Sequence, residues 1–180
     1  MMLDPFISLF LRAGFSLIFV LTAWHKLRDL SGFKNILIGY NIMPLKTLPV
    51  LAMVLPLMEI AVAALLILLP YFGVFAAGGL LCLYALIMAF NIARGNTQID
   101  CGCMWGGDIS AFPKLSWAHV LRNVAMVSIL ALALIPISMR ALGITDWTNL
   151  IFGVGFVFAA VKTSFTLMAV SGRMREFGHA

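Results

Sequence analysis

Apolar residues run through this chain in blocks too long for strands and too uniform for amphipathic surface helices. Crossing about 30 Å of hydrocarbon takes about 20 mostly apolar residues in a helix. Five stretches meet that requirement: about Phe6–Trp24, Leu48–Leu69, Phe72–Ile92, Trp117–Met139 and Trp147–Val170. Between the second and third stands Pro70-Tyr71, a tight turn in which proline ends one helix and lets the next begin. Gly143 to Asp146 supplies a stop and a capping Asp146 ahead of the fifth. Trp24, Tyr71, Trp117 and Trp147 mark span ends, where interfacial aromatics sit. The pattern predicts one all-α integral membrane domain over residues 1–180, a bundle of about five transmembrane helices.

Two segments break the pattern. His25 to Pro49 reads as a short helix on the membrane surface, with Phe33, Ile36, Leu37 and Tyr40 at helical spacing against Lys26, Arg28 and Lys34. Arg94 to Ser116 is long for a connection in a compact bundle and carries Gly95, Gly102, Gly106, Gly107 and Pro113. Long connections without periodicity are often functional. The chain has no internal repeat and no low-complexity segment.

Composition agrees: 63% of the 180 residues are hydrophobic and 11% charged, against roughly 25% charged in a soluble domain. The net charge of +5 is confined to the few polar segments, where it reports membrane orientation and attracts anionic lipid; nothing in it suggests nucleic acid. Met1-Met2-Leu3-Asp4-Pro5 lacks the basic stretch of a cleaved signal, so the first helix is expected to be retained. Five spans put the His25–Pro49 segment, the Arg94–Ser116 loop and the C-terminal tail on one face. That face holds Lys26, Arg28, Lys34, Lys46, Arg94, Lys114, Arg173 and Arg175, whereas the other holds Arg140. Positive residues stay inside, which predicts a multi-pass protein of the cytoplasmic membrane with the long loop cytoplasmic.

That loop carries the strongest chemical signal, Cys101-Gly102-Cys103, followed by Met104-Trp105-Gly106-Gly107. Two cysteines one residue apart join only in a cramped ring, and the intervening glycine gives the backbone the freedom to close it. Such a disulfide is easily reduced, which suits exchange rather than structure. The alternatives are a pair of free thiols or a metal site, although Zn²⁺ takes four ligands and the chain offers three Cys and three His. Cys82 lies mid-span in the third helix and reads as a small buried apolar residue.

Charges inside the membrane are costly and usually meet a partner in the bundle interior. Arg12, Glu59 and Lys162 fall within spans. Counted from the helix ends at 1.5 Å per residue, Arg12 and Glu59 come to similar depths, roughly 12 and 16 Å, and Lys162 lies deeper. The expectation is an Arg12–Glu59 ion pair that fixes helix order. Trp24, His25 and Lys26, with Arg122 and Asn123, would form a polar rim around Cys101 and Cys103 that favours thiolate; snorkelling and solvated side chains are the plain alternative.

Taken in order, these pieces resemble the MauE family, related to the DoxX group of redox-associated membrane proteins. The resemblance rests on Cys101-Gly102-Cys103, Gly106-Gly107 and Leu121-Arg122-Asn123, and upstream on Lys26-Leu27-Arg28-Asp29, Phe33, Tyr40, Met43-Pro44 and Leu55-Pro56-Leu57-Met58-Glu59. It spans about Leu11 to Leu134, with Met104-Trp105 departing from the family's more frequent Phe-Gly. It implies a role in maturing methylamine dehydrogenase, whose small subunit is rich in disulfides, beside a thioredoxin-like partner. That dehydrogenase matures outside the cytoplasm, whereas the charge bias puts the cysteines inside; a relay of reducing equivalents across the membrane would reconcile the two.

Three function classes follow. One is a redox-associated membrane protein, a thiol–disulfide oxidoreductase accessory acting through Cys101 and Cys103. Another is a non-catalytic membrane anchor or assembly partner. The third is a metal or small-solute carrier. No motif demands a cofactor, although a quinone is compatible with the first class.

Overall fold

The computed structural model describes residues 2–99 and 115–177, with side chains beyond Ala160 described at Thr163 alone. Cys101 and Cys103 therefore lie outside the described residues. The elements are α1 (Pro5–Arg28), α2 (Leu30–Tyr40), α3 (Leu48–Leu68), α4 (Pro70–Ala93), α5 (Trp117–Ala131) and α6 (Ile144–Phe177). Four stretches are long and apolar enough to cross a membrane: α1, α3, α4, and α5 with the 3₁₀ turn that extends it to Leu134. The described part of α6 adds a shorter apolar stretch over Ile144–Ala160. This is a multi-pass, all-helical membrane protein.

The expected boundaries shift in informative places. The first span does not end at Trp24; α1 runs on to Arg28, where Asp29 closes it and starts α2. Asp29 caps α2 by accepting from Gly32 N–H and Ser31 Oγ, bonds that hold its carboxyl below the ordinary carboxylate range. The surface helix is thus Leu30–Tyr40, ended by Asn41 in the left-handed region at φ 48°. The fourth span gives way at Ile135 to extended chain, in which Ser138 N donates to Leu3 O and Leu3 N to Pro136 O.

The core stripes follow helical spacing. On α1 the buried residues are Ser8, Phe15, Phe19, Ala23 and Lys26; on α3 they include Ala52, Pro56, Glu59, Val62, Ala63 and Leu66. Phe15 and Phe19 pack with Leu66, Ala77, Leu81 and Leu130 in the central cluster. Leu69 alone separates α3 from α4, with Pro70 as the first residue of α4. A β-carbon on Gly73 would lie 2.4 Å from Leu66 N, so glycine lets the two helices touch backbone to backbone. Trp24, Tyr71, Trp117 and Trp147 are all exposed near helix ends, as interfacial anchors require. Cys82, expected to be buried, is exposed on α4, outside the described core.

Candidate functional site

The bundle's loop end is where α1 finishes, α2 lies across, α4 ends and α5 begins. Gly95, at φ 77°, turns the chain out of α4. Asn96 then fastens it: its Nδ2 donates to Gly39 O at 2.9 Å and to Asn91 Oδ1 at 3.0 Å. Asn91 is fully buried and donates to Ile87 O. Three residues on, Ile99 O accepts from Leu115 N at 3.1 Å. The described chain on either side of residues 100–114 is therefore joined at one neck. Ile99 and Leu115 pack with Tyr40, Met88 and Val120, an apolar footing that fixes the loop's two roots. Beyond the neck, Ser116 N donates to His119 Nδ1 at 3.2 Å, closing the first turn of α5.

Next to this neck lies a buried ion pair. Lys26, 4% exposed, donates through Nζ to Glu59, 1% exposed. Glu59 also accepts from Tyr84 Oη at 2.7 Å and from Thr22 Oγ1 at 3.5 Å. The rings of Phe33 and Tyr84 stand 5.2 and 5.1 Å from Lys26 Nζ, close enough for cation–π attraction. One carboxylate thus gathers side chains from α1 and α4, and its lysine leans on α2.

This corrects the expected Arg12–Glu59 pair. Ser16 Oγ donates to Ala63 O at 3.0 Å, which sets α1 and α3 at a common height there. From that level Glu59 is about 6 Å toward the loop end, Lys26 about 15 Å in the same direction, and Arg12 about 6 Å the opposite way. Side chains lean toward their own helix N-terminus, and the two helices are antiparallel. Lys26 and Glu59 therefore lean together across about 9 Å, whereas Arg12 and Glu59 lean apart across about 12 Å. Arg12 turns back one turn to donate to Ser8 O at 3.3 Å. Depth counted from helix ends misled because α1 and α3 do not share a membrane level at those ends.

The remaining predicted residues divide. Arg122 and Asn123 lie in the second turn of α5, half-buried and buried respectively, near the loop's second root. His25 is exposed in the last turn of α1, and its carbonyl accepts from Asp29 N. Lys26, expected on the rim, turns inward. Lys162 lies on α6, its side chain outside the described residues. Tyr84, Thr22 and His119 were missed by sequence reasoning. The signal for Lys26 was present, since it continues the Phe15, Phe19, Ala23 stripe at three- and four-residue steps. Among the described residues no group of three His, Cys, Asp or Glu gathers at one point.

The family model described as Methylamine utilisation protein MauE matches residues 4–136. The Methylamine utilization protein MauE of Paracoccus denitrificans is 37% identical over 135 residues, 74% of this chain and 70% of that protein. That of Paracoccus versutus is 35% identical over 137 residues, 74% of this chain and 72% of its own length. That of Methylorubrum extorquens is 35% identical over 125 residues, 68% and 66% respectively. No solved structure matches the chain significantly.

Proposed function

This chain belongs to the MauE family of methylamine utilisation proteins, and from that premise we propose a redox-associated membrane protein that assists maturation of a partner. The chemistry is thiol–disulfide exchange at Cys101 and Cys103. A thiolate of the pair attacks a disulfide of a thioredoxin-like partner and gives a mixed disulfide. The second thiolate resolves it, so that the Cys101–Cys103 dithiol becomes a disulfide and the partner's disulfide becomes a dithiol. Electrons and protons balance within the exchange, and it runs in either direction. The client, by family resemblance, is the disulfide-rich small subunit of methylamine dehydrogenase.

One observation carries this reading: the sequence puts both cysteines between two roots joined at Ile99 and Leu115. The backbone bond between Ile99 and Leu115 joins the two roots without any need of the thiols, which suits thiols reserved for exchange with a partner. The positive residues favour the cytoplasmic side for this loop, a placement that labelling of intact cells with a membrane-impermeant thiol reagent tests directly. For the function, each single change, Cys101→Ser or Cys103→Ser, is expected to abolish client maturation while the purified protein melts as wild type does. Maturation that survives the double change would leave the anchoring role instead.

A further inference from the structure

The ion pair at the loop end is also the polar end of a cavity. A space of about 180 Å³ opens between α2, the loop-side half of α3 and α4. Its walls are apolar, among them Leu51, Leu55, Tyr40, Ile87 and Met88, and its polar end is Lys26 with Tyr84. Ile42, Met43 and Leu83 also line it and are exposed apolar residues, so the cavity opens beside them at the surface of the bundle. Tyr40 and Met88 belong to this wall and to the footing of the loop neck alike.

Three features define what fits. An apolar cavity of about 150 Å³ holds a benzene ring, so this one takes a single ring with small substituents. An ammonium has three N–H donors, and the bond to Glu59 uses one of them, so an acceptor atom seated against Lys26 is met by a charged donor. Glu59 neutralises that charge at contact distance, which disfavours an anionic headgroup and favours a neutral carbonyl oxygen. A plain alkyl chain would fill the apolar walls and leave Lys26 nothing to donate to. We propose that the cavity binds the ring of a lipid-soluble quinone, one carbonyl oxygen against Lys26 and the isoprenoid tail leaving past Met43 into the bilayer. Its purpose rests on the redox reading above; its binding does not.

The test uses the full chain in lipid nanodiscs, with a decyl-tailed dimethoxy-methyl-benzoquinone as probe and decylbenzene, which lacks carbonyls, as control. Saturable quinone binding is expected, clearly tighter than that of decylbenzene. Leu51→Trp, which fills the cavity and leaves the ion pair intact, should weaken quinone binding at least about tenfold. The paired change Lys26→Met with Glu59→Gln removes the donor without stranding a charge and should do the same. Binding is measured as well in the Cys101→Ser/Cys103→Ser variant, where it should be unchanged, so that loss of the thiol reading leaves this result standing. Equal affinity for decylbenzene, an unchanged Kd in Leu51→Trp, or loss of binding in the Cys101→Ser/Cys103→Ser variant would overturn the site.

Discussion

The two ends of the bundle each carry an ion pair, and the two pairs do different work. At the N-terminal end Arg140 bridges Asp4 and Asp146, with four contacts of 3.0–3.1 Å. Arg140 and Asp4 stand in solvent, with side chains 47% and 39% exposed. At the loop end Lys26 and Glu59 are buried beside Phe33, Tyr84 and Thr22. By geometry alone the Arg140 bridge looks the stronger, with bidentate contacts on both sides. Solvent reverses that order: exposed pairs contribute little, whereas a buried charge that loses its partner is left with its whole desolvation cost. The loop end is therefore specified by charge, and the other end by packing.

The largest effect should come from breaking the buried pair. Glu59→Ala strands Lys26 in an apolar setting and should cost about 3–5 kcal/mol, read as a large drop in thermal midpoint in detergent. Replacing both partners, Lys26→Met with Glu59→Leu, should recover most of the loss, because no charge is then stranded. A double variant as unstable as the single would mean that the site matters for its shape and not for its charge balance. Next comes packing at the opposite end. Gly73→Val would drive a side chain into the Leu65–Leu66 backbone and should cost about 1–3 kcal/mol. Gly79→Ala on the same helix meets nothing within 4 Å and should be neutral or stabilising. Arg140→Gln should then shift the midpoint far less than either Glu59→Ala or Gly73→Val.

The pH dependence of that exposed bridge is the smallest and most specific effect. Hydrogen bonds from Arg140 and from Phe6 N–H hold the Asp4 carboxyl below its ordinary range. A group depressed in the folded state adds stability above its unfolded pKa, about 3.9 for aspartate, and loses it as pH falls through the folded value. The difference in midpoint between wild type and Arg140→Gln should therefore stay constant from about pH 8 to 5 and shrink below about pH 4. A difference that changes near neutrality would assign the effect to another group.

The same contrast separates what the sequence disclosed from what it did not. The spans, the Pro70 turn and the interfacial aromatics are written locally, since any window of about 20 residues carries the hydropathy that decides them. Asp146 was legible only in part: expected as a cap ahead of the fifth span, it lies inside the first turn of α6, which begins at Ile144, and from there accepts from Gly143 N at 2.8 Å. The partner of Glu59 was not local. It depended on how far α1 runs past Trp24, and on a relative height that the Ser16–Ala63 bond sets across 47 positions. Tyr84 went unnoticed because a tyrosine within an apolar run is counted as filling, and its hydroxyl acquires a role only when Glu59 lies opposite. The neck was hidden for the same reason: Ile99 and Leu115 are ordinary apolar residues until the fold sets them side by side.

The thiol pair remains the centre of the account, and its redox state in living cells is its most direct measure. Cells expressing the full chain are held in reductant and then in oxidant, quenched with acid, and treated with a maleimide large enough to shift the protein on a gel. Cys82 is first replaced by Ser so that Cys101 and Cys103 alone report. Two added labels are expected in reductant and none in oxidant, with conversion at a relatively oxidising potential because the ring is small. Two labels under both conditions would contradict it.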